Sequence, residues 1–406
     1  DALCGVLSRP LDPAEPAGRR VDIHYAVLPA LARNRKPDPV FFFAGGPGQS
    51  AMDVGGAVSR MLARLSYRRD VVLIDQRGTG RSAPLLCDEP PAAAPLADAA
   101  DNARVLAQLQ ACRSKLQALP YGDLRRFTTT IAMQDADAVR QALGAAQINI
   151  VGGSYGTRAV LEYQRQFPAA VRRAVIDGVA PPDMVLPAAM STDNQAALDA
   201  LLAACQAAPG CAQRHPNLAQ DWHALLARLP LQARVQHPLT GVAETLTLTR
   251  EFVLSQVRLP LYVPALAAAL PQAVSEAAQG RFEALAGLGS AMGSRGMGRV
   301  AGGMHFSVVC AEDFPRLAQS RDQPGRDFGT AASELYQAVC AQWPRGEVPT
   351  AFYTVPAAPA ATLVLSGGAD PVTPPRHGER VTQALGAKAR HVVVPEAGHG
   401  VMGLPC

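Results

Sequence analysis

The sequence predicts an α/β fold: a mostly parallel central sheet with helices on both faces and an inserted, mainly helical cap. Three observations predict it. Short apolar segments, VFFFA at Val40–Ala44 and DVVLID at Asp70–Asp75, run straight into glycine-rich loops. Continuous apolar strands of this kind belong to parallel sheets covered on both faces. A third segment, INIV at Ile148–Val151, turns through Gly152–Gly156 into a helical pattern over Thr157–Gln166. Finally, the strand pattern gives way to Ala/Leu-rich helical stretches from Met184 to Arg345 and returns at Ala361.

The chain has 406 residues, 48% hydrophobic and 18% charged, which is the composition of a folded protein with a large core. A net charge of +4 without a long Lys/Arg run argues against a nucleic-acid partner. No charge-free apolar stretch reaches the roughly 18 residues of a membrane span. The chain opens at Asp1–Ala2–Leu3–Cys4 without a signal peptide, as a processed mature chain does. There are eight cysteines, no C-x-x-C pair and no histidine at zinc-finger spacing, so neither a metal nor a cofactor is expected. Buried thiols in a cytosolic enzyme are one reading, and disulfides in a secreted or periplasmic protein are the favoured one. Cys205 and Cys211 bracket a turn-forming Pro209–Gly210, while Cys87 and Cys112 fall in loop-like and surface-helix-like segments. The expected pairs are Cys87–Cys112, Cys205–Cys211 and Cys310–Cys340, leaving Cys4 and Cys406.

In chain order, VDIHYAVL at Val21–Leu28 alternates as an antiparallel strand does. The Val40–Ala44 and Asp70–Asp75 strands follow, then an Ala/Pro-rich loop from Pro84 to Ala100. Thr128–Leu143 reads as a helix with caps at Thr128–Thr130 and an inner face of Ile131, Ala138, Val139 and Leu143. The Ile148 strand, the Thr157–Gln166 helix and a strand at Val171–Asp177 complete residues 1–182, the first part of the sheet domain. Residues 183–345 form the expected cap, with helices such as Gln195–Ala208 and Leu261–Ala278, a hairpin over Ala233–Thr249, and a mobile Gly/Met-rich loop at Gly287–Gly303. Residues 346–406 return to the sheet with strands at Ala361–Ser366 and Arg390–Val394.

The sharpest local pattern is G-x-S-x-G at Gly152–Gly156. A serine on a cramped strand-to-helix turn needs glycines two residues to either side, and the helix behind it aims N–H groups at developing negative charge. Asp370 follows the Ala361–Ser366 strand, and His399, between Gly398 and Gly400, follows the last strand. A nucleophile, an orienting acid and a base in the order Ser154, Asp370, His399 are what acyl transfer requires. Backbone N–H groups of Tyr155 and of the Gly45–Gly46 loop are the candidate oxyanion donors.

AGGPG at Ala44–Gly48, DQRGTGRS at Asp75–Ser82, GGSYGT at Gly152–Thr157, GGADPVTP at Gly367–Pro374 and GHG at Gly398–Gly400 together resemble one family. It is the prolyl iminopeptidase and tripeptidyl aminopeptidase branch of the α/β-hydrolases. The resemblance implies Ser154 as nucleophile, Asp370 as acid, His399 as base, a cap-covered site and substrates with a free N-terminus. It also implies cap carboxylates facing the substrate's ammonium, for which Glu312 and Asp313 are the candidates. The alternative for that pair is a cap on the Phe314–Leu317 turn. Two departures stand out: Ala44 occupies the place where the family often has histidine, and the chain stops soon after His399, where the fold normally adds a helix. The second reads as a truncated or processed form.

The expected function is therefore a secreted or periplasmic serine aminopeptidase acting on short peptides, with proline near the scissile bond. A carboxylesterase or amidase using the same triad is the alternative, and a non-catalytic binding protein on a hydrolase scaffold is the alternative from another class. The partner is a small peptide or ester. The oligomeric state is open, with a monomer favoured.

Overall fold

The computed structural model describes residues 2–291, 299–357 and 360–404. Its ten strands are β1 Leu3–Pro10, β2 Arg20–Leu28, β3 Val40–Phe43, β4 Val71–Ile74, β5 Ile148–Gly153, β6 Val171–Asp177, β7 Leu231–Gln236, β8 Ala243–Leu248, β9 Ala361–Gly367 and β10 Ala389–Val394. Eight form one sheet in the order β1–β2–β4–β3–β5–β6–β9–β10, while β7 and β8 pair as a separate hairpin. The β1–β2 and β2–β4 pairs are antiparallel and the rest of the sheet is parallel. Every residue of β3 and β4 is buried, as their unbroken apolar sequences require. From β3 the chain steps outward to β4 and then back past β3 to β5. This reversal opens a crevice at the carboxyl ends of β3 and β5, where open α/β sheets bind ligands.

β1 has no counterpart in the sequence reading. It lies at the sheet edge with Leu3 and Val6 exposed, so pairing with β2 creates it and burial does not. The helix Thr129–Ala142 is capped by Thr128, whose Oγ1 accepts from the Ile131 N–H. Its inner face differs from the expected one. Ala132, Met133, Ala136 and Val139 are buried, whereas Leu143 is exposed. Buried Asp135 and Asp137 complete that face: Arg77 and Arg9 hold Asp135, and Arg140 and Tyr163 hold Asp137. Buried ion pairs thus rotate the helix away from the purely apolar stripe.

Apolar side chains gather in two main clusters. One surrounds the sheet, and the other is built by Leu198, Trp222, Leu225, Val253, Val257, Leu270, Val274 and Leu285, all lying between β6 and β9 in the chain. The helices Gly302–Glu312 and Ala331–Cys340 join the sheet's cluster through Met304, Phe306, Val308 and Val339. Where one helix over Leu261–Ala278 is expected, the helix Arg250–Leu261 ends and two shorter ones follow, Pro264–Ala267 and Leu270–Ala278, with breaks beside Pro264 and Pro271. Of the Gly/Met-rich run, residues 292–298 lie outside the described residues; Gly287 sits in the helix Glu283–Ala291, and Gly302 opens the next helix. The three expected disulfides are present: Cys87–Cys112, Cys205–Cys211 and Cys310–Cys340. Among the described residues Cys4 is exposed and in no disulfide, and Cys406 lies outside them. No helix among the described residues is long and apolar enough to cross a membrane.

Candidate active site

Ser154 sits between β5 and the helix Tyr155–Gln166 with φ +56° and ψ −126°. A non-glycine residue pays strain to adopt this conformation, and the surroundings hold it there. A Cβ on Gly152 would stand 2.3 Å from the Gly156 carbonyl oxygen, and one on Gly156 would stand 2.1 Å from that of Phe43. Gly152 and Gly156 are therefore both required sterically. The Ser154 N–H donates to the Asp177 carbonyl on the neighbouring strand at 2.9 Å, fixing the turn to the sheet.

Asp370 and His399 meet above β9 and β10. His399 Nδ1–H donates to Asp370 Oδ2 at 2.8 Å. Thr373 Oγ1 donates to the same oxygen at 2.8 Å and lies 3.1 Å from Nδ1. Asp370 Oδ1 accepts from the Val372 and Thr373 N–H groups, both at 2.8 Å. Burial pushes the Asp370 carboxyl up, but the His399 charge and these hydrogen bonds outweigh it and hold the pKa below the ordinary value. Burial pushes His399 down, and Asp370 more than reverses this, leaving its pKa above the ordinary histidine value. Among the described residues, neither Ser154 Oγ nor His399 Nε2 has a hydrogen-bond partner.

Other residues hold this arrangement that the sequence alone did not single out. Asp177 Oδ2, at the end of β6, accepts from the Val401 and Met402 N–H groups, each at 2.7 Å, and so ties down the loop carrying His399. Tyr262 accepts the His399 N–H on its carbonyl at 3.0 Å, and its ring meets the imidazole edge-on at 5.3 Å. Asp75, at the end of β4, accepts from Ser50 Oγ at 2.6 Å and from the Met52 N–H, which braces the Gly45–Gly48 loop from below. His305 braces it from the other side. Its Nδ1–H donates to the Pro47 carbonyl at 3.2 Å, and its Nε2 accepts from the Tyr336 hydroxyl at 2.6 Å. Burial lowers the His305 pKa to about 4, which keeps the ring neutral for this pattern. A histidine distant in sequence thus orders a loop that lacks one before its glycines. These contacts span up to 258 residues in sequence and have no local motif.

Of the candidate oxyanion donors, Tyr155 opens its helix with an N–H that has no partner among the described residues. Gly45 packs against Ser154, and its N–H is held by Gln49 Oε1 at 3.2 Å.

Glu312 and Asp313 are placed otherwise than expected. Both carboxylates are buried. Asp313 takes Arg158 through both oxygens, at 3.1 and 3.0 Å. Glu312 accepts from the Thr129 N–H at 2.8 Å, from Thr129 Oγ1 at 3.0 Å and from Arg158 at 3.4 Å. Thr129 in turn meets the Tyr155 hydroxyl at 2.6 Å. All four carboxylate oxygens are occupied, and Asp313 makes no side-chain cap to the turn that follows it. Neither an ammonium site nor a turn cap describes the pair. It anchors the first turn of the Ser154 helix to the helix Gly302–Glu312. Burial pushes Glu312 up to about 7 against the pull of Arg158.

A strained serine elbow at a reversal of strand order, with a paired aspartate and histidine on neighbouring strand ends, defines the class of serine-centred α/β enzymes. A family model described as alpha/beta hydrolase fold matches residues 38–403, and the chain belongs to that family. It is 31% identical over 192 residues to the tripeptidyl aminopeptidase of Streptomyces lividans, covering 44% of this chain and 35% of that protein. It is 26% identical over 425 residues to the serine protease Hip1 of Mycobacterium tuberculosis, covering 95% and 79%. Over 142 residues it is 29% identical to the proline iminopeptidase of Neisseria meningitidis, covering 35% and 32%. The aligned stretch therefore spans about a third of the Streptomyces relative.

Proposed function

We propose that this chain is a serine hydrolase that releases N-terminal residues from short peptides through an acyl-enzyme. The observation that carries the reading is the placement of Ser154, Asp370 and His399 at the carboxyl ends of β5, β9 and β10, with His399 held at 2.8 Å by Asp370. Asp370 fixes the tautomer that leaves Nε2 bare to take the Ser154 proton. Ser154 Oγ then attacks the scissile carbonyl, and His399 returns the proton to the leaving amine. The Tyr155 N–H and the Gly45–Gly46 loop face the developing oxyanion, with Gln49 withdrawing from Gly45 as the substrate enters. The free-amine preference is taken from the named relatives, because Glu312 and Asp313 are committed to Arg158 and Thr129. We assign the segment carrying the second apolar cluster as a cap over the site, with the helices from Gly302 onward belonging to the sheet domain's core. The three disulfides support a location outside the cytoplasm.

The test pairs proline and Ala-Ala-Pro chromogenic amides, each with free and blocked N-termini, against p-nitrophenyl acetate and butyrate, with Ser154→Ala as control. Cleavage of free-amine peptides over blocked ones, lost in Ser154→Ala, is expected, and the released fragment shows whether one residue or three leave. Ester turnover without amide cleavage would make the protein a carboxylesterase.

A further inference from the structure

Asp177 ends β6, the strand lying between β5, which leads into Ser154, and β9, which leads into Asp370. Its backbone holds one side of the site, since its carbonyl accepts the Ser154 N–H at 2.9 Å. Its carboxylate holds the other. Oδ2 accepts at 2.7 Å from the N–H groups of Val401 and Met402, two and three residues past His399. The same oxygen lies 4.0 Å from where a Gly400 Cβ would stand. The residue after Asp177 passes against the imidazole itself. A Cβ on Gly178 would stand 3.3 Å from His399 Cε1 and 3.4 Å from Nδ1.

Asp177 is only 3% exposed, and its Oδ1 has no hydrogen-bond partner among the described residues. A lone buried oxygen calls for an explanation, because buried polar groups are nearly always paired. A carboxylate withdrawn from water is stabilised by a positive charge close by. The other titratable groups facing His399 are Asp370, at 2.8 Å from Nδ1, and Tyr262, edge-on at 5.3 Å, with the charge of Arg258 acting on its hydroxyl. Burial pushes the Tyr262 hydroxyl up, so it stays neutral. The positive charge this site generates is the imidazolium of His399, formed when the ring takes the Ser154 proton. Burial opposes that imidazolium, Asp370 favours it most, and Asp177 adds to Asp370. The attraction is mutual. Burial pushes the Asp177 carboxyl above its ordinary value, against the pull of the two N–H groups and of His399.

We infer that Asp177 is a positioning residue for the reaction: its carboxylate tethers the His399 loop, and its charge, added to that of Asp370, stabilises the imidazolium that forms as Ser154 attacks. This rests on the hydrolase reading above. Asp370 fixes the tautomer by direct contact, and Asp177 acts on the same ring from the neighbouring strand end.

The test separates charge from tethering. Asp177→Asn and Asp177→Ser each keep an oxygen for the Val401 and Met402 N–H groups and lose the charge, while Asp177→Glu keeps the charge. For the full chain and each variant, kcat and KM are measured against pH on the substrate that wild type turns over fastest. In parallel the His399 imidazole is titrated by NMR in histidine-labelled protein, with His399→Gln identifying its resonance. Removing the negative charge destabilises the imidazolium. In Asp177→Asn the acid limb of kcat and the NMR titration should therefore both move to lower pH, by about one unit. Plateau kcat should fall roughly 3- to 10-fold with KM unchanged, and Asp177→Glu should recover part of both effects. Tethering alone would leave the titrations of Asp177→Asn and Asp177→Ser unmoved, and that result overturns the proposal while turnover by wild type keeps the hydrolase reading. An Asp177→Glu titration matching that of Asp177→Asn also overturns it. An NMR titration moved by Asp177→Asn in a protein that turns over no substrate would retain the action of Asp177 on His399 and overturn the hydrolase reading.

Discussion

Ser154, Asp370 and His399 were legible because each sits in a short local pattern at a strand end. Glycine spacing announces a steric need that the structure meets directly, since a Cβ on Gly156 would stand 2.1 Å from the Phe43 carbonyl oxygen. Asp177, Tyr262 and His305 were not legible, because their contacts join distant parts of the chain and leave no spacing to read. The error at Glu312 and Asp313 has a similar origin. Two adjacent carboxylates look available in sequence, and Arg158, more than 150 residues earlier, claims both. The Asp370–His399 pair makes a pH prediction. In the proposed mechanism His399 acts as base when neutral, and its pKa is raised, so activity should fall on the acid side at a pH above that of an ordinary histidine. Asp370→Asn leaves the burial of His399 and removes the opposing charge. The acid limb of kcat/KM against pH should then move to lower pH, with kcat down by about 10³ to 10⁴. An unmoved limb would contradict the pairing.

At the scale of elements, nearly every sheet strand was readable from its apolar run or alternation. β1 was not, because an exposed edge strand is made by its partner. Helix boundaries in the inserted segment were read less well, since Ala/Leu-rich sequence carries a helical period across the prolines that break it. The helix Tyr155–Gln166 is instead set by a buried charge cluster. Arg158 bridges it to Glu312 and Asp313, and burial, which pushes the guanidinium down, is outweighed by those two carboxylates. Removing the cation would strand two buried carboxylates. Arg158→Met should therefore cost about 3–5 kcal/mol in urea unfolding. A loss below about 1 kcal/mol would show that the cluster does not anchor the helix.

For the whole molecule, cysteine positions gave all three disulfides, but periodicity could not divide the inserted segment between two cores. That division depends on which apolar faces meet, and the helices Gly302–Glu312 and Ala331–Cys340 meet the sheet. Cys310–Cys340 staples this pair, and the helices also carry His305 and Tyr336, which brace the glycine loop. With a sequence separation of 30 between its cysteines, the disulfide should contribute about 3–4 kcal/mol by restricting the unfolded chain. Urea unfolding of the double variant Cys310→Ser, Cys340→Ser measures this, and an unchanged midpoint would contradict it. A second tie runs along the helix Pro375–Leu385, where His377 and Arg376 both hold Asp193 of the helix Leu186–Ala207.

In the proposed reaction Ser154 is the nucleophile and His399 activates it. The most direct measurement is the intact mass and peptide map of the protein after reaction with a fluorophosphonate. One adduct per chain is expected, located on Ser154, absent in Ser154→Ala and formed far more slowly in His399→Ala. An unlabelled wild type, or an adduct on another residue, would contradict it.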